Sequence, residues 1–131
     1  MMDLDEFKSI NDTHGHLVGD KVLGQIAQIL HGCVRKIDLV FRVGGDEFGV
    51  VLPGTTAEGA EHVANKILEK VRAANILKSL FGFKGSSTVS IGAAEYRPGS
   101  PAESLVADAD TALYAAKKDG RNTVRVFNQH R

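Results

Sequence analysis

The sequence predicts an α+β domain, with helices laid over a largely antiparallel sheet. Three observations carry that expectation. Short stretches of period-two alternation are interleaved with longer stretches of helical period, and two of the alternating stretches are separated only by a glycine-rich turn. The length, 131 residues with 43% hydrophobic and 24% charged side chains, suits one domain with a sizeable core. The charges balance, 16 Lys plus Arg against 16 Asp plus Glu, so no bulk field draws in DNA, RNA or an anionic membrane. Any bound anion must be held by local cations. The lone Cys33 cannot form an internal disulfide, which fits a reducing cytoplasm. No signal peptide, membrane-spanning run or repeat is visible, and direct membrane contact is not expected.

Taken in order, residues 1–4 are apolar enough for the end of a strand and lead into the polar turn-and-helix stretch EFKSINDTHGH. Val22, Leu23, Ile26, Leu30, Cys33 and Val34 recur at helical spacing, so residues 19–34 read as an amphipathic helix with Cys33 on its apolar face. Leu39, Phe41 and Val43 then alternate with Val40 and Arg42, and Phe48, Val50 and Leu52 resume the alternation after GGDE, which makes a hairpin. A second helix starts near Thr55 or Thr56, with Glu58 spaced for a capping box on Thr55, and buries Ala60, Val63, Ala64, Ile67, Leu68 and Val71. Val89, Ile91 and Ala93 alternate with Ser90 and Gly92 as a further strand. The next helix takes Ser100 as N-cap, Pro101 as first helical residue and Glu103 to close the box, and runs through Leu105, Ala109, Leu113 and Ala116 to a stop at Gly120. NTVRVFN closes the fold as a strand. The order β, α, β, β, α, β, α, β points to a ferredoxin-like topology.

The hairpin tip is the unusual feature. Gly44 and Gly45 tolerate positive φ and let a ligand approach the backbone, while Asp46 and Glu47 project beside them. A solvated acidic turn would use the same residue types. In a split βαβ sheet, however, the first strand neighbours the hairpin, and this brings Asp3 toward Asp46. Carboxylates converging from a strand end and a hairpin tip make a hard, oxygen-rich site suited to Mg²⁺ and substrate phosphates. That is the chemistry of phosphoryl transfer, and it needs cations, for which Lys8, Lys117 and Arg121 are the candidates. Lys117 and Arg121 also stand where a helix C-terminus favours positive charge. Competing motifs fail on spacing. DLDEFKS starts like a calcium loop but has Phe7 at a ligand position and Lys8 where Gly is required, and GHLVGDK lacks the P-loop spacing. His14 and His16, flanking Gly15, read as turn residues rather than zinc ligands.

The segments DLDEFKSINDTHGHLVGD, RVGGDEF, VSIGAA and ADTALYAAKKDGRN, in this order and spacing, resemble the GGDEF family of diguanylate cyclases over essentially the whole chain. The resemblance implies a nucleotidyl-cyclase, palm-type sheet, in agreement with the element order. It implies condensation of two GTP into cyclic di-GMP with release of pyrophosphate, dependent on Mg²⁺ or Mn²⁺, by a homodimer in which each domain holds one GTP. Carried over by position, Asp3 and Asp46 bind the metal with the Leu4 carbonyl and Glu47, and Asp46 or Glu47 helps activate the attacking 3′-hydroxyl, with Lys8 beside them. Gly44 and Gly45 admit the phosphates. Asn11 and Asp20 read guanine, Phe7 lines its pocket, and Lys8, Lys117, Arg121 and His16 contact phosphate. RKID, separated from Gly44 by five residues, resembles the RxxD product-inhibition site, with Arg35 and Asp38 as the binding pair.

Members of that family have an N-terminal helix and a segment resembling DxLTxLxNR before the first strand, whereas only Met1 and Met2 precede Asp3 here. The expectation is a single GGDEF domain over residues 1–131 that lacks this helix, has a short first strand and exposes apolar surface beside it. An upstream sensor domain in a longer parent chain is a further expected partner. The alternative to an active cyclase is an impaired module that binds GTP or cyclic di-GMP as a regulatory or interaction domain.

Overall fold

The computed structural model describes residues 1–128. Along the chain lie β1 (Met2–Leu4), α1 (Phe7–His14), α2 (His16–Cys33), β2 (Leu39–Gly44), β3 (Glu47–Val51), α3 (Ala57–Ala74), α4 (Ile76–Phe81), β4 (Val89–Ala93), α5 (Ala102–Lys118) and β5 (Val124–Val126). Among the described residues the strands form one sheet in the order β2-β3-β1-β4-β5. The first four pair antiparallel in the ferredoxin-like arrangement, and β5 joins β4 in parallel through the crossover helix α5.

Although it is only three residues long, β1 is the centre of the sheet. Met2 stands opposite both Phe48 and Ile91, and Leu4 opposite Val89. These buried side chains join Val22, Ile26 and Leu30 of α2 and Ile67, Leu68 and Val71 of α3 in the main core. The alternation predicted from sequence therefore decides which sheet face meets α2 and α3. The opposite face takes α5, and a glycine makes that contact possible. A Cβ on Gly92 would lie 2.2 Å from the Leu113 amide nitrogen and 2.4 Å from the Ala109 carbonyl oxygen. Farther along this face Leu39, Phe41, Val43 and Val51 are 62%, 45%, 49% and 42% exposed. In β1 itself Met2 and Leu4 are buried, so the exposed apolar surface lies on β2 and β3 and not at the first strand, where it was expected.

Several local expectations are corrected. The helix read over residues 19–34 begins at His16, because Gly15, with φ 93°, is the break that separates it from α1. Thr56, not Thr55, caps α3, accepting from the Gly59 amide at 3.2 Å, so Glu58 falls one position short of a capping box. The Thr55 hydroxyl instead accepts from Arg35 and donates to the Pro53 carbonyl. At α5 the N-cap residue is Pro101, with no side-chain cap. The amide and hydroxyl of Ser100 are both spent on the Arg97 carbonyl, at 3.0 and 2.5 Å, which closes the preceding turn and leaves Glu103 in the first helical turn with no box to close. The short α4, between the left-handed residues Asn75 and Gly82, is too brief to show a period in the sequence.

Candidate functional site

The strand end and the hairpin tip meet as the topology requires. Asp3 is the register partner of Glu47, which places both side chains on one face, and the Leu4 amide donates to the Asp46 carbonyl at 3.1 Å. Two carboxylates set side by side repel, and the Lys117 ammonium from the last turn of α5 pairs with Asp3 Oδ2. Burial pushes the Glu47 carboxyl above its ordinary range, and the charges of Asp3 and Asp110 add to the shift while Lys117 opposes it. The other Asp3 oxygen, Oδ1, is buried and has no hydrogen-bond partner among the described residues. Among the described residues no three His, Cys, Asp or Glu side chains are already gathered as a metal cage. An orphaned carboxylate oxygen beside a desolvated second carboxylate nevertheless fits a hard cation. Asp3, Glu47, Asp46 and the Leu4 carbonyl are the groups that would hold Mg²⁺.

The tip itself is open and braced. Gly45 takes φ 49°, and a Cβ on Gly44 or Gly45 would meet nothing within 4 Å, which leaves room for an approaching ligand. The Arg42 guanidinium holds the Gly45 carbonyl through Nε at 2.9 Å and also through Nη2, across the register shift that falls between Arg42 and Gly44. This brace was not read from the sequence.

A second cluster forms where α1 crosses α2. A Cβ on Gly19 would lie 1.9 Å from Asn11 Oδ1 and 3.3 Å from the Phe7 ring, so the absent side chain lets the helices meet and fixes Asn11 between them. Asn11 Oδ1 is buried without a hydrogen-bond partner. Exposed Asp20 follows Gly19 and lines a cleft of about 500 Å³ with Leu23, Gly24, Arg42 and Phe48. Lys8 and His16 stand exposed in the first turns of α1 and α2, and Arg121 is exposed after Gly120. None of the three forms an ion pair among the described residues, and the structure does not bring them onto the carboxylates.

Arg35 and Asp38 are together. The buried Asp38 carboxylate accepts from Arg35 Nη2 at 2.8 Å and from the Arg35 amide at 2.7 Å, while Nη2 also reaches the Pro53 carbonyl at 2.8 Å. The hydrogen bond from Arg35 holds the Asp38 carboxyl below its ordinary range and raises the guanidinium in turn. The motif thus ties the turn after α2 to the connection after β3, with the guanidinium side chain 54% exposed. An apolar groove of about 540 Å³ lies elsewhere, between the far ends of β3 and β4, lined by Val50, Leu52, Ala64, Ala93 and Leu105. No Lys or Arg lines it among the described residues.

The family described as "Diguanylate cyclase, GGDEF domain" matches residues 1–123. The chain belongs to the GGDEF family. It is 44% identical over 125 residues to diguanylate cyclase A of Treponema denticola, covering 95% of this chain and 33% of that protein. It is 44% identical over 124 residues to the diguanylate cyclase DgcM of Escherichia coli, covering 95% of this chain and 29% of the relative. The chain therefore spans about a third of the length of these curated relatives. The crystal structure of the GGDEF domain of DgcB from Caulobacter crescentus in complex with c-di-GMP superposes with a TM-score of 0.89 at 34% identity, covering 95% of this chain and 74% of that one. The palm-type cyclase fold is shared. In this GGDEF domain no described helix is long and apolar enough to cross a membrane.

Two residues of the GGDEF domain that shape the site lay outside the sequence reading. Arg42 braces the tip, and Asp5 is buried just after β1 against Thr88, Ser90 and Asn122. The only signal for Asp5 was a second acid two residues after Asp3 in DLDEF.

Proposed function

We propose that this GGDEF domain is a diguanylate cyclase that condenses two GTP into cyclic di-GMP and two pyrophosphates. The observation that carries the reading is the meeting of Asp3, Asp46 and Glu47 at an open glycine tip with Lys117 beside them. Asn11, with its unpartnered carbonyl oxygen, and Asp20 hold the guanine edge, and Phe7 walls the pocket. Lys8, Lys117, Arg121 and His16 take the phosphates, and Lys117 exchanges Asp3 for a phosphate oxygen when GTP arrives. Mg²⁺, or Mn²⁺ in its place, neutralises phosphate charge when bound by the carboxylates. A carboxylate oxygen of Glu47 or Asp46 accepts the proton of the 3′-hydroxyl as its oxygen bonds to the α-phosphorus of the other GTP and pyrophosphate leaves. The raised proton affinity of Glu47 suits it to that transfer. Each 3′-oxygen must reach the α-phosphorus of a second GTP, so two domains work face to face as a homodimer. Arg35 and Asp38 form the product site, opening their mutual pair to take a guanine edge or phosphate. The relatives' length supports an additional upstream domain as regulator, and a GTP-consuming signal enzyme of this kind works in the cytoplasm.

One observation favours a second reading, a module that binds GTP or cyclic di-GMP without turnover: Lys117 already neutralises the Asp3 carboxylate that a metal would use. Incubation of the purified chain with GTP and Mg²⁺, followed by chromatography for cyclic di-GMP and calorimetry with GTP, decides. Cyclic di-GMP formation supports the cyclase, binding without product supports the module, and absence of both refutes each.

A further inference from the structure

Asp5 is a carboxylate with 6% exposure and no ion pair among the described residues, a costly placement unless donors saturate it. Three donors do so. The hydroxyls of Thr88 and Ser90 donate to it at 2.8 and 2.6 Å, and the Asn122 amide donates at 3.0 Å. Two of these come from β4 or its approach, but the third comes from the turn between α5 and β5. That turn is under strain. Gly120, Arg121 and Asn122 have φ of 104°, 64° and 51°, so two non-glycine residues in succession occupy the left-handed region. Asp5 holds the amide that joins them, while Arg72 of α3 holds the Asn122 side chain and carbonyl, each at 2.9 Å. The outcome of this bracing is an exposed Arg121 guanidinium on a fixed backbone. Asp5 is also next in sequence to Leu4 and two residues from Asp3.

We propose that Asp5 is a positioning residue that sets Arg121 relative to the carboxylates of Asp3 and Glu47, so that the triphosphate of GTP meets a cation already in place. The inference rests on the phosphate-binding role given to Arg121 above.

The test uses the whole chain and two probes, GTP with Mg²⁺ by calorimetry and guanosine by ligand-observed NMR. Arg121→Ala is expected to weaken GTP roughly tenfold or more and to leave guanosine unchanged. Asp5→Ala should cause a loss of the same size, again confined to GTP, and the double variant should bind no more weakly than Arg121→Ala alone. Asp5→Asn should keep GTP affinity within about twofold, because the amide oxygen can still accept from Thr88 and Asn122 while the Ser90 hydroxyl reverses its role and accepts from the amide nitrogen. If Asp5→Ala does not fold, Asp5→Glu takes its place: it keeps the charge but displaces the oxygens by a methylene, and the same GTP-selective loss is expected. Unchanged GTP binding in Arg121→Ala overturns the phosphate role itself. A weakened Arg121→Ala with unchanged Asp5 variants, equal losses of guanosine and GTP, or losses that multiply in the double variant overturn the positioning role alone.

Discussion

Asp46 engages the rest of the fold through its backbone: its carbonyl accepts from the Leu4 amide, and among the described residues no side-chain hydrogen bond or ion pair holds its carboxylate. Asp46→Asn, nearly isosteric, should therefore leave the circular dichroism and thermal midpoint unchanged while turnover of GTP falls by at least about a hundredfold. Undiminished turnover in a folded variant would remove Asp46 from the chemistry. Asn11 has the opposite character, with a buried carbonyl oxygen that nothing satisfies. If guanine supplies the missing donor, Asn11→Ala should cost GTP about 1–3 kcal/mol of binding and leave ATP unaffected. Equal losses for both nucleotides in calorimetric titrations would contradict base reading at this position. Both residues were singled out in the sequence, Asp46 by its place at the glycine tip and Asn11 by the family resemblance. Arg42 and Asp5 were not, since each works by bonding a backbone group that only the folded chain brings near.

The turn between α2 and β2 depends on one ion pair inside four residues. Because the Arg35 guanidinium depresses the Asp38 carboxyl in the folded state, the stability from this pair is fully present above the ordinary aspartate range and is lost as pH falls through the depressed value. Thermal midpoints measured from pH 5 down to about pH 2 should therefore fall more steeply for the native chain than for Asp38→Asn, and parallel curves would show that the pair contributes nothing. The elements themselves were largely visible in the sequence: the hairpin, α2, α3, β4, α5 and β5 all carry their period. What failed were the ends. At Thr55 and Ser100 the capping hydroxyl is diverted to a turn carbonyl by neighbours that lie outside the helix, and a spacing rule cannot see them.

For the molecule as a whole, the topology followed from element order because a central β1 beside the hairpin is what a split βαβ arrangement demands. Apolar surface was expected beside residues 1–4, but the exposed stripe of Leu39, Phe41, Val43 and Val51 lies on β2 and β3, a location that needed the register. Such a stripe recruits other chains. Sedimentation velocity at rising concentration should show self-association, and Leu39→Ser combined with Val43→Ser should suppress it with secondary structure intact. A native chain that stays monomeric at high concentration would refute this.

The close seat of α5 on Gly92 has a mechanical consequence. With the Ala109 and Leu113 backbone seated close on the strand, a rocking of the helix about Leu113 would move its two ends as a beam moves on a fulcrum. At ~1.5 Å of rise per residue, Lys117 sits on an arm of ~6 Å and the start of the helix at Ala102 on one of ~16 Å. Displacements imposed at the far loop reach Lys117, and through it Asp3, geared down nearly threefold by the ratio of those arms. The cation is therefore carried on the quiet end of the lever.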